Sequence, residues 1–287
     1  MKYAFIGFGE AGQAFVTNWA VGKKEATSGF DLKSLDAKNE IRHLFAAHSI
    51  KECQSADDAV RSADVIFSLV TADQAEVAAR SAQALKKGAL FLDCNSVSPG
   101  TKRGNAEIIM NAGGKYVDVA VMAPVHPALN KVPLMLSGAY AEEAEVHLLE
   151  LGMNPTVLVG DVGYASSIKM IRSIMVKGME ALTAECALAA VQAGIDEPVF
   201  ASLVKSFPGI EWEHQIAYNL ERMAEHGPRR AAEMKESAKT IAELGLPNSV
   251  TQGTVDWQER IGALGHKVEE LDYKKIAVEL LPKLLKD

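Results

Sequence analysis

The sequence predicts an α/β fold in two parts: an N-terminal Rossmann domain with a doubly wound, mostly parallel sheet, then an all-helical domain built on a long helix. Three observations carry this. Short apolar runs alternate with helix-favouring segments from Tyr3 to Val159, the mark of βαβ units. A glycine-rich turn, Gly7-Phe8-Gly9-Glu10-Ala11-Gly12, separates the first apolar run from the first helical segment. From Ser166 to Ala193 the chain favours helix without a proline and with only Gly178 inside, longer than a crossover helix needs. The expected boundaries are 1–162 for the dinucleotide-binding domain and 163–287 for the helical substrate and dimerisation domain.

Strands are expected at Tyr3–Ile6, Val65–Val70, Ala89–Leu92, Tyr116–Val121, Leu134–Ser137 and Thr156–Val159, each a short apolar run of the kind buried in a parallel sheet. Helices are expected at Ala11–Ala20, Ala37–Ala47, Gln74–Leu85, Lys102–Asn111 and Ala141–Leu151. Beyond Gly194, breaks at Pro198, Pro208-Gly209, Gly227-Pro228, Gly245–Pro247 and Gly262 divide the remainder into about five shorter helices.

Composition narrows the function. The net charge of -7 argues against nucleic acid or an anionic membrane as main partner. No apolar run approaches the roughly 18 residues that span a bilayer. The start, Met1-Lys2-Tyr3-Ala4-Phe5-Ile6-Gly7, enters a strand directly and leaves no room for a signal peptide. Three cysteines, Cys53, Cys94 and Cys186, lack CxxC spacing, so neither a disulfide framework nor a metal site is expected. A cytoplasmic location is the expectation.

In the glycine turn, Gly7 permits the tight bend, Gly9 lets backbone approach a pyrophosphate, and Gly12 lets helix and strand pack closely. Phe8, Glu10 and Ala11 complete the loop, whose helix would turn free N–H groups to the phosphates. Val70 and Thr71, closing another strand, are assigned to the same cofactor site. Asp31 stands where a ribose-binding carboxylate is expected and favours NAD. Lys33 and Ser34 could instead receive the 2′-phosphate of NADP, and Asp31 could simply cap a turn.

Polar groups also gather where ligands bind such a sheet. Asp93-Cys94-Asn95-Ser96-Val97-Ser98-Pro99 follows a strand and reads both as a site loop and as the cap of the next helix. Met122 and His126 lie in the segment after Asp118–Val121, with His126 either a site histidine or an exposed one. On the long helix, Lys169, Arg172, Ser173, Lys177 and Glu180 fall at i, i+3, i+4, i+8 and i+11, along one face. Such a stripe is either solvated or the wall of a polar site, and enclosed cations call for an anion.

The order of Gly7-x-Gly9-x-x-Gly12, Asp93-x-Asn95-Ser96-x-x-Pro99, Asp118-x-x-Val121 and Gly160-x-x-Gly163 leading into Lys169 resembles the β-hydroxyacid dehydrogenases. That family includes 3-hydroxyisobutyrate dehydrogenase and 6-phosphogluconate dehydrogenase. The resemblance runs through residues 1–195 and continues more weakly beyond. It implies an NAD(P)-dependent oxidoreductase that moves a hydride from a small hydroxy acid to nicotinamide. Lys169 would be the general base that takes the hydroxyl proton, its basicity tuned by apolar surroundings and by Arg172 and Lys177. Arg172 and Ser173 would hold the substrate carboxylate, and Asn95 and Ser96 would orient substrate or nicotinamide.

Three departures matter. Met122-Ala123-Pro124 replaces the family's Ser-Gly-Gly, Ser173 replaces an asparagine, and Val176 replaces the glutamate of the phosphogluconate enzymes. The sequence looks closer to a branch typified by Arg172, Lys177 and His226-Gly227-Pro228-Arg229-Arg230. The polar pocket suits a sugar acid, with isomerisation or decarboxylation of the 3-oxo product left open and Glu180 as a candidate acid. Arg229 and Arg230 either reach the same site, or that of a partner subunit, or form an exposed helix start. A homodimer through the long helix is implied by the family, against burial within one chain. Two other readings remain: a non-catalytic NAD(P)-binding sensor, and an imine reductase-like enzyme, against which Lys169 counts.

Overall fold

Tyr3–Ile6, four consecutive buried residues, forms strand β1, and the chain around it builds a sheet by repeating the same device. The computed structural model describes residues 1–36 and 40–285. After β1 come α1 (Glu10–Val16), α2 (Val21–Glu25), β2 (Thr27–Phe30), α3 (Ile41–Ala47), β3 (Lys51–Glu52) and α4 (Ala56–Val60). Then follow β4 (Val65–Ser68), α5 (Ala75–Arg80), β5 (Leu90–Asp93), α6 (Pro99–Asn111) and β6 (Lys115–Val121). β7 (Pro133–Ser137), α7 (Ala141–Glu150) and β8 (Asn154–Val157) complete the sheet. Of the expected helix Ala37–Ala47, residues 37–39 lie outside the described residues.

The sheet order is β3-β2-β1-β4-β5-β6-β7-β8. Neighbours are parallel except β6 and β7, which pair antiparallel. Each face carries its own apolar cluster: Phe5, Phe8, Phe15, Trp19 and Phe67 on one, Ile6, Ile66, Phe91 and Tyr116 on the other. The order reverses between β1 and β4, so the crevice where such folds take ligands opens at their C-terminal ends. Gly7 and Val70 follow those two strands.

Three sheet elements differ from expectation: β3 is a two-residue polar strand that no apolar run announces, and β2 and β8 differ for further physical reasons. β2 went unpredicted because Ser28 and Gly29 are poor strand formers. Gly29 is required there, since a Cβ would lie 2.5 Å from the Phe45 ring. β8 begins at Asn154 rather than Thr156 and includes Pro155. It is the outermost strand, where a residue without an N–H is tolerated.

The chain divides into two compact units, Met1–Met170 and Ile171–Asp287, and the long helix α8 (Tyr164–Ala193) contributes residues to both. The second unit adds α9 (Asp196–Ser206), α10 (Trp212–Glu243), α11 (Ser249–Ala263) and α12 (Tyr273–Leu284), packed around Leu188, Phe200, Leu220, Ile261 and Leu280. The expected break at Gly227-Pro228 is absent, because α10 continues through Pro228. An interior proline costs about 3 kcal/mol. Buried Met223 and Ala224 before it, and Ala231 and Met234 after it, hold the helix by packing. Pro198 likewise opens α9 within its first turn instead of breaking it.

Gly227 meets α11 at backbone distance: a Cβ there would stand 2.4 Å from the Gln258 carbonyl oxygen and 2.6 Å from Gly262 Cα. Gly253, inside α11, faces open space. Gly227→Ala is therefore expected to lower the urea midpoint, with an overpacking cost of roughly 1–3 kcal/mol. Gly253→Ala should raise it by about 1 kcal/mol through helix propensity. Equal effects of the two substitutions would refute the close crossing.

Candidate active site

The glycine loop leaves β1 with Gly7 at φ +86°, where a Cβ would collide with the Leu69 carbonyl oxygen at 2.3 Å. Gly12 lies against Phe8 and the Gly7 carbonyl, so it serves helix–strand packing. A Cβ on Gly9 would point into open space, and among the described residues no side chain caps α1 there. This is a cradle that a larger residue would fill, and it fits a pyrophosphate. Glu10 is exposed and Ala11 half-buried at its rim, while Phe8 is buried and stacks on Phe45.

Asp31 directly follows β2 and serves two backbone groups. Its Oδ2 accepts from Phe8 N at 2.8 Å and its Oδ1 from Lys33 N at 2.9 Å. The carboxylate thus caps a turn and also ties β2 to the glycine loop. Lys33 is exposed and Ser34 buried.

Asn95 is buried and turned into the sheet. Its Oδ1 accepts from Val70 N at 2.7 Å and its Nδ2 donates to Ser68 Oγ at 2.9 Å. It therefore fixes the segment leaving β4, with Val70 half-buried and Thr71 exposed. Ser96, the next residue, accepts from Lys169 Nζ at 2.6 Å. Ser98 and Pro99 open α6, with Ser98 Oγ accepting from Thr101 N at 3.2 Å. Met122 is half-buried and donates its N–H to the Pro133 carbonyl at 2.9 Å, while His126 is exposed.

Beneath Ser96 and Lys169 lies a buried ionic cluster that the sequence reading did not find. Asp93 and Asp118 are direct neighbours across β5 and β6, and both are buried. Lys102, fully buried on α6, stands 3.1 Å from Asp93 Oδ1 and 3.3 Å from Asp118 Oδ1. Asp93 also accepts from Asn95 N at 3.0 Å, Asn105 Nδ2 at 3.1 Å and Tyr116 OH at 2.6 Å. Asp118 Oδ2 accepts from Ser137 Oγ at 3.2 Å, Gly163 N at 3.1 Å and Ser166 N at 3.0 Å, while Ala165 N donates to Ser137 Oγ at 3.0 Å. Asp118 and Ser137 thereby cap the start of α8, whose first residue Tyr164 lies five positions before Lys169.

Burial favours the neutral form of Lys102, but Asp93 and then Asp118 outweigh it and hold the ammonium above the ordinary lysine value. Burial, reinforced by Asp93, pushes the Tyr116 phenol well up. Burial pushes the Cys94 thiol up to about 12, against the pull of Lys102 and Lys169. A signal for Lys102 exists in the sequence: it shares the spacing of Pro99, Ala106 and Ile109, the face that α6 buries.

In the second unit, Arg172 is exposed and Ser173 buried. The enclosed part of the polar stripe finds its counter-charges inside the chain. Lys177 donates to Glu233 at 2.5 Å, so its role as a substrate ligand competes with an internal partner. Burial lowers its pKa against the opposing pull of Glu233. Glu180 accepts from both Arg230 Nε (2.9 Å) and a terminal Arg230 nitrogen, and from Gln258 Nε2 at 2.8 Å. This bidentate grip commits both Glu180 oxygens to partners inside the chain. Arg230 is thus neither exposed nor at a helix start, because α10 does not begin at Pro228.

A family model described as the NAD binding domain of 6-phosphogluconate dehydrogenase matches residues 2–158. A second, described as a domain of unknown function, matches residues 190–261. The mitochondrial 3-hydroxyisobutyrate dehydrogenase of Drosophila melanogaster is 23% identical over 272 residues, covering 92% of this chain and 82% of that protein. A conserved hypothetical protein from Sinorhizobium meliloti superposes with TM-score 0.77 at 35% identity, covering 100% of this chain and 96% of that one. The Mycobacterium tuberculosis 3-hydroxyisobutyrate dehydrogenase, solved with L-serine, gives TM-score 0.74 at 18% identity over 97% and 98% of the two chains.

Removing the buried ammonium by Lys102→Met would leave two carboxylates uncompensated, an expected loss on the order of 3–5 kcal/mol in chemical denaturation. Because the native pKa of Lys102 is raised, its contribution is full below the ordinary lysine value and fades as pH climbs through the native value. The difference between wild type and variant should therefore hold steady through neutral pH and shrink only in strongly alkaline solution. A difference that vanishes near neutrality would contradict the assignment.

Proposed function

The chain belongs to the β-hydroxyacid dehydrogenase family, NAD(P)-dependent oxidoreductases acting on CH–OH groups, and on that premise we propose that it oxidises a small hydroxy acid with Lys169 as general base. The observation that carries this reading is the Lys169–Ser96 hydrogen bond of 2.6 Å at the C-terminal edge of the sheet. When bound, the nicotinamide supplies the hydride acceptor. Gly7, Phe8, Gly9, Glu10, Ala11 and Gly12 would hold the pyrophosphate, with Val70 and Thr71 beside them. Lys169 would take the substrate hydroxyl proton while Ser96 orients its amine. Arg172 would grip the substrate carboxylate, aided by Ser173, one turn along the helix from Lys169. Asn95 acts by fixing Val70 and the backbone around Ser96. Met122 and His126 are proposed as further substrate residues of the first unit, and Lys177 as one of the second, with Glu233 as its standing partner.

Asp31 supports NAD over NADP. Each of its oxygens accepts one backbone N–H and keeps a lone pair for a ribose hydroxyl. A 2′-phosphate beside that fixed carboxylate would meet like charge. A sugar acid is the substrate class we favour for the polar site. Glu180 offers no support for enzyme-driven decarboxylation, given its grip by Arg230.

The apolar ridge Ile171, Met175, Met179 and Leu182 on α8, exposed by 46, 65, 41 and 70%, supports a homodimer through that helix. Met175→Glu should move the species seen by light scattering from dimer to monomer. A monomeric wild type would refute the dimer.

Purified protein given a panel of hydroxy and sugar acids with NAD or NADP should show reduced-cofactor absorbance with one acid class, and faster with NAD. Lys169→Ala should abolish turnover while leaving cofactor affinity nearly intact. Retained turnover in that variant would refute the base assignment. Silence of wild type across the panel despite cofactor binding would favour an unusual substrate first and the sensor reading second, and amine formation from ketone would favour the imine reductase reading.

A further inference from the structure

We infer that Lys102 is the positioning residue for the Lys169–Ser96 pair. The inference rests on the proposed role of that pair. Asp93 and Asp118 face each other across adjacent parallel strands, a like-charge pair that only a shared cation holds together at depth. Lys102 supplies it. From each carboxylate a short path runs to one member of the pair. Asp93 Oδ1, which accepts from Lys102, also accepts from Asn95 N, and Ser96 is the next residue. Asp118 accepts from Gly163 N and Ser166 N at the start of α8, and Lys169 lies three residues further on that helix. Both ends of one 2.6 Å hydrogen bond thus hang from a single ammonium. All of these groups lie within the first compact unit, Met1–Met170.

The test separates positioning from stability. Lysine labelling by a small aldehyde with cyanoborohydride, mapped at Lys169 by mass spectrometry, reads how firmly the amine is held without requiring turnover. Compared are wild type, Ser96→Ala, Lys102→Met, Asp118→Asn and Tyr116→Phe, each first shown to be folded by circular dichroism. Tyr116→Phe removes a different hydrogen bond to Asp93 and serves as the purely structural control. Lys102→Met and Asp118→Asn should label Lys169 at the rate of Ser96→Ala, and Tyr116→Phe at the wild-type rate. With an active acid in hand, Lys102→Met should lose about 100-fold in kcat, the scale of a 1 Å misplacement, with KM for cofactor unchanged. Should Lys102→Met fail to fold, Asp118→Asn decides, since it breaks the bridge but keeps a carbonyl oxygen for α8. Wild-type labelling in folded Lys102→Met or Asp118→Asn overturns the inference. So does wild-type labelling in Ser96→Ala, for then no held pair exists. Lack of turnover in wild type would sink the proposed reaction but leave the labelling result standing.

Discussion

A buried lysine ammonium is an expensive thing to place between a helix and a sheet, and the first unit is organised around one. The effective penalty for taking an ion out of water is several kcal/mol, so Lys102 must be met on every side. Asp93 offers both a carboxylate and its backbone carbonyl, Asp118 a second carboxylate, and Val119 a carbonyl. Two carboxylates against one ammonium leave one negative charge over. That surplus is answered by neutral donors: Asn95 N, Asn105 and Tyr116 around Asp93, and Ser137, Gly163 N and Ser166 N around Asp118. The last two belong to the start of α8, where the helix dipole adds positive potential.

The helical unit solves the same problem with balanced charge. Glu180 with Arg230, and Lys177 with Glu233, sum to zero, and Gln258 adds a donor from α11. These contacts link α8, α10 and α11 through polar groups where apolar side chains would be less specific about register. The Gly227–Gly262 contact works in the same direction, because two helices that touch backbone to backbone cannot slide without collision. Precision in this unit comes from close approach and paired charge, with small buried residues such as Ala184, Ala187 and Ala217 filling the space between helices.

Much of this was legible in the chain. β1 was placed to the residue, the other expected strands were found within two or three residues, and the glycine turn stood in the right context. What escaped shares one cause: the deciding partner is distant in sequence. Gly29 reads as a strand breaker until the Phe45 ring is seen above it. Pro228 reads as a helix break until α11 is seen packed against it. The polar stripe of α8 reads as either a solvated face or the wall of a site, and the pairing of Lys177 with Glu233 and of Glu180 with Arg230 is out of reach of both readings. In each case local propensity was outweighed by packing or pairing that no short window contains.

The same reasoning explains why the motifs were readable while their connection was not. Asp118 and Gly163 are 45 residues apart, and Ser96 and Lys169 are 73 apart. Each motif taken singly has a modest local meaning, such as a strand end, a turn or a helix start. Gly163 turns at φ +102°, a conformation suited to glycine, and this presents its own N–H and that of Ser166 to one carboxylate. Asp118 and the Gly160-x-x-Gly163 turn are thus two halves of a single capping device. Asp93 and Lys102 are likewise halves of one charge pair, and the two devices meet at Lys102. Sequence order reveals the family because it keeps the halves. The three-dimensional contact shows how the halves fit because it joins them.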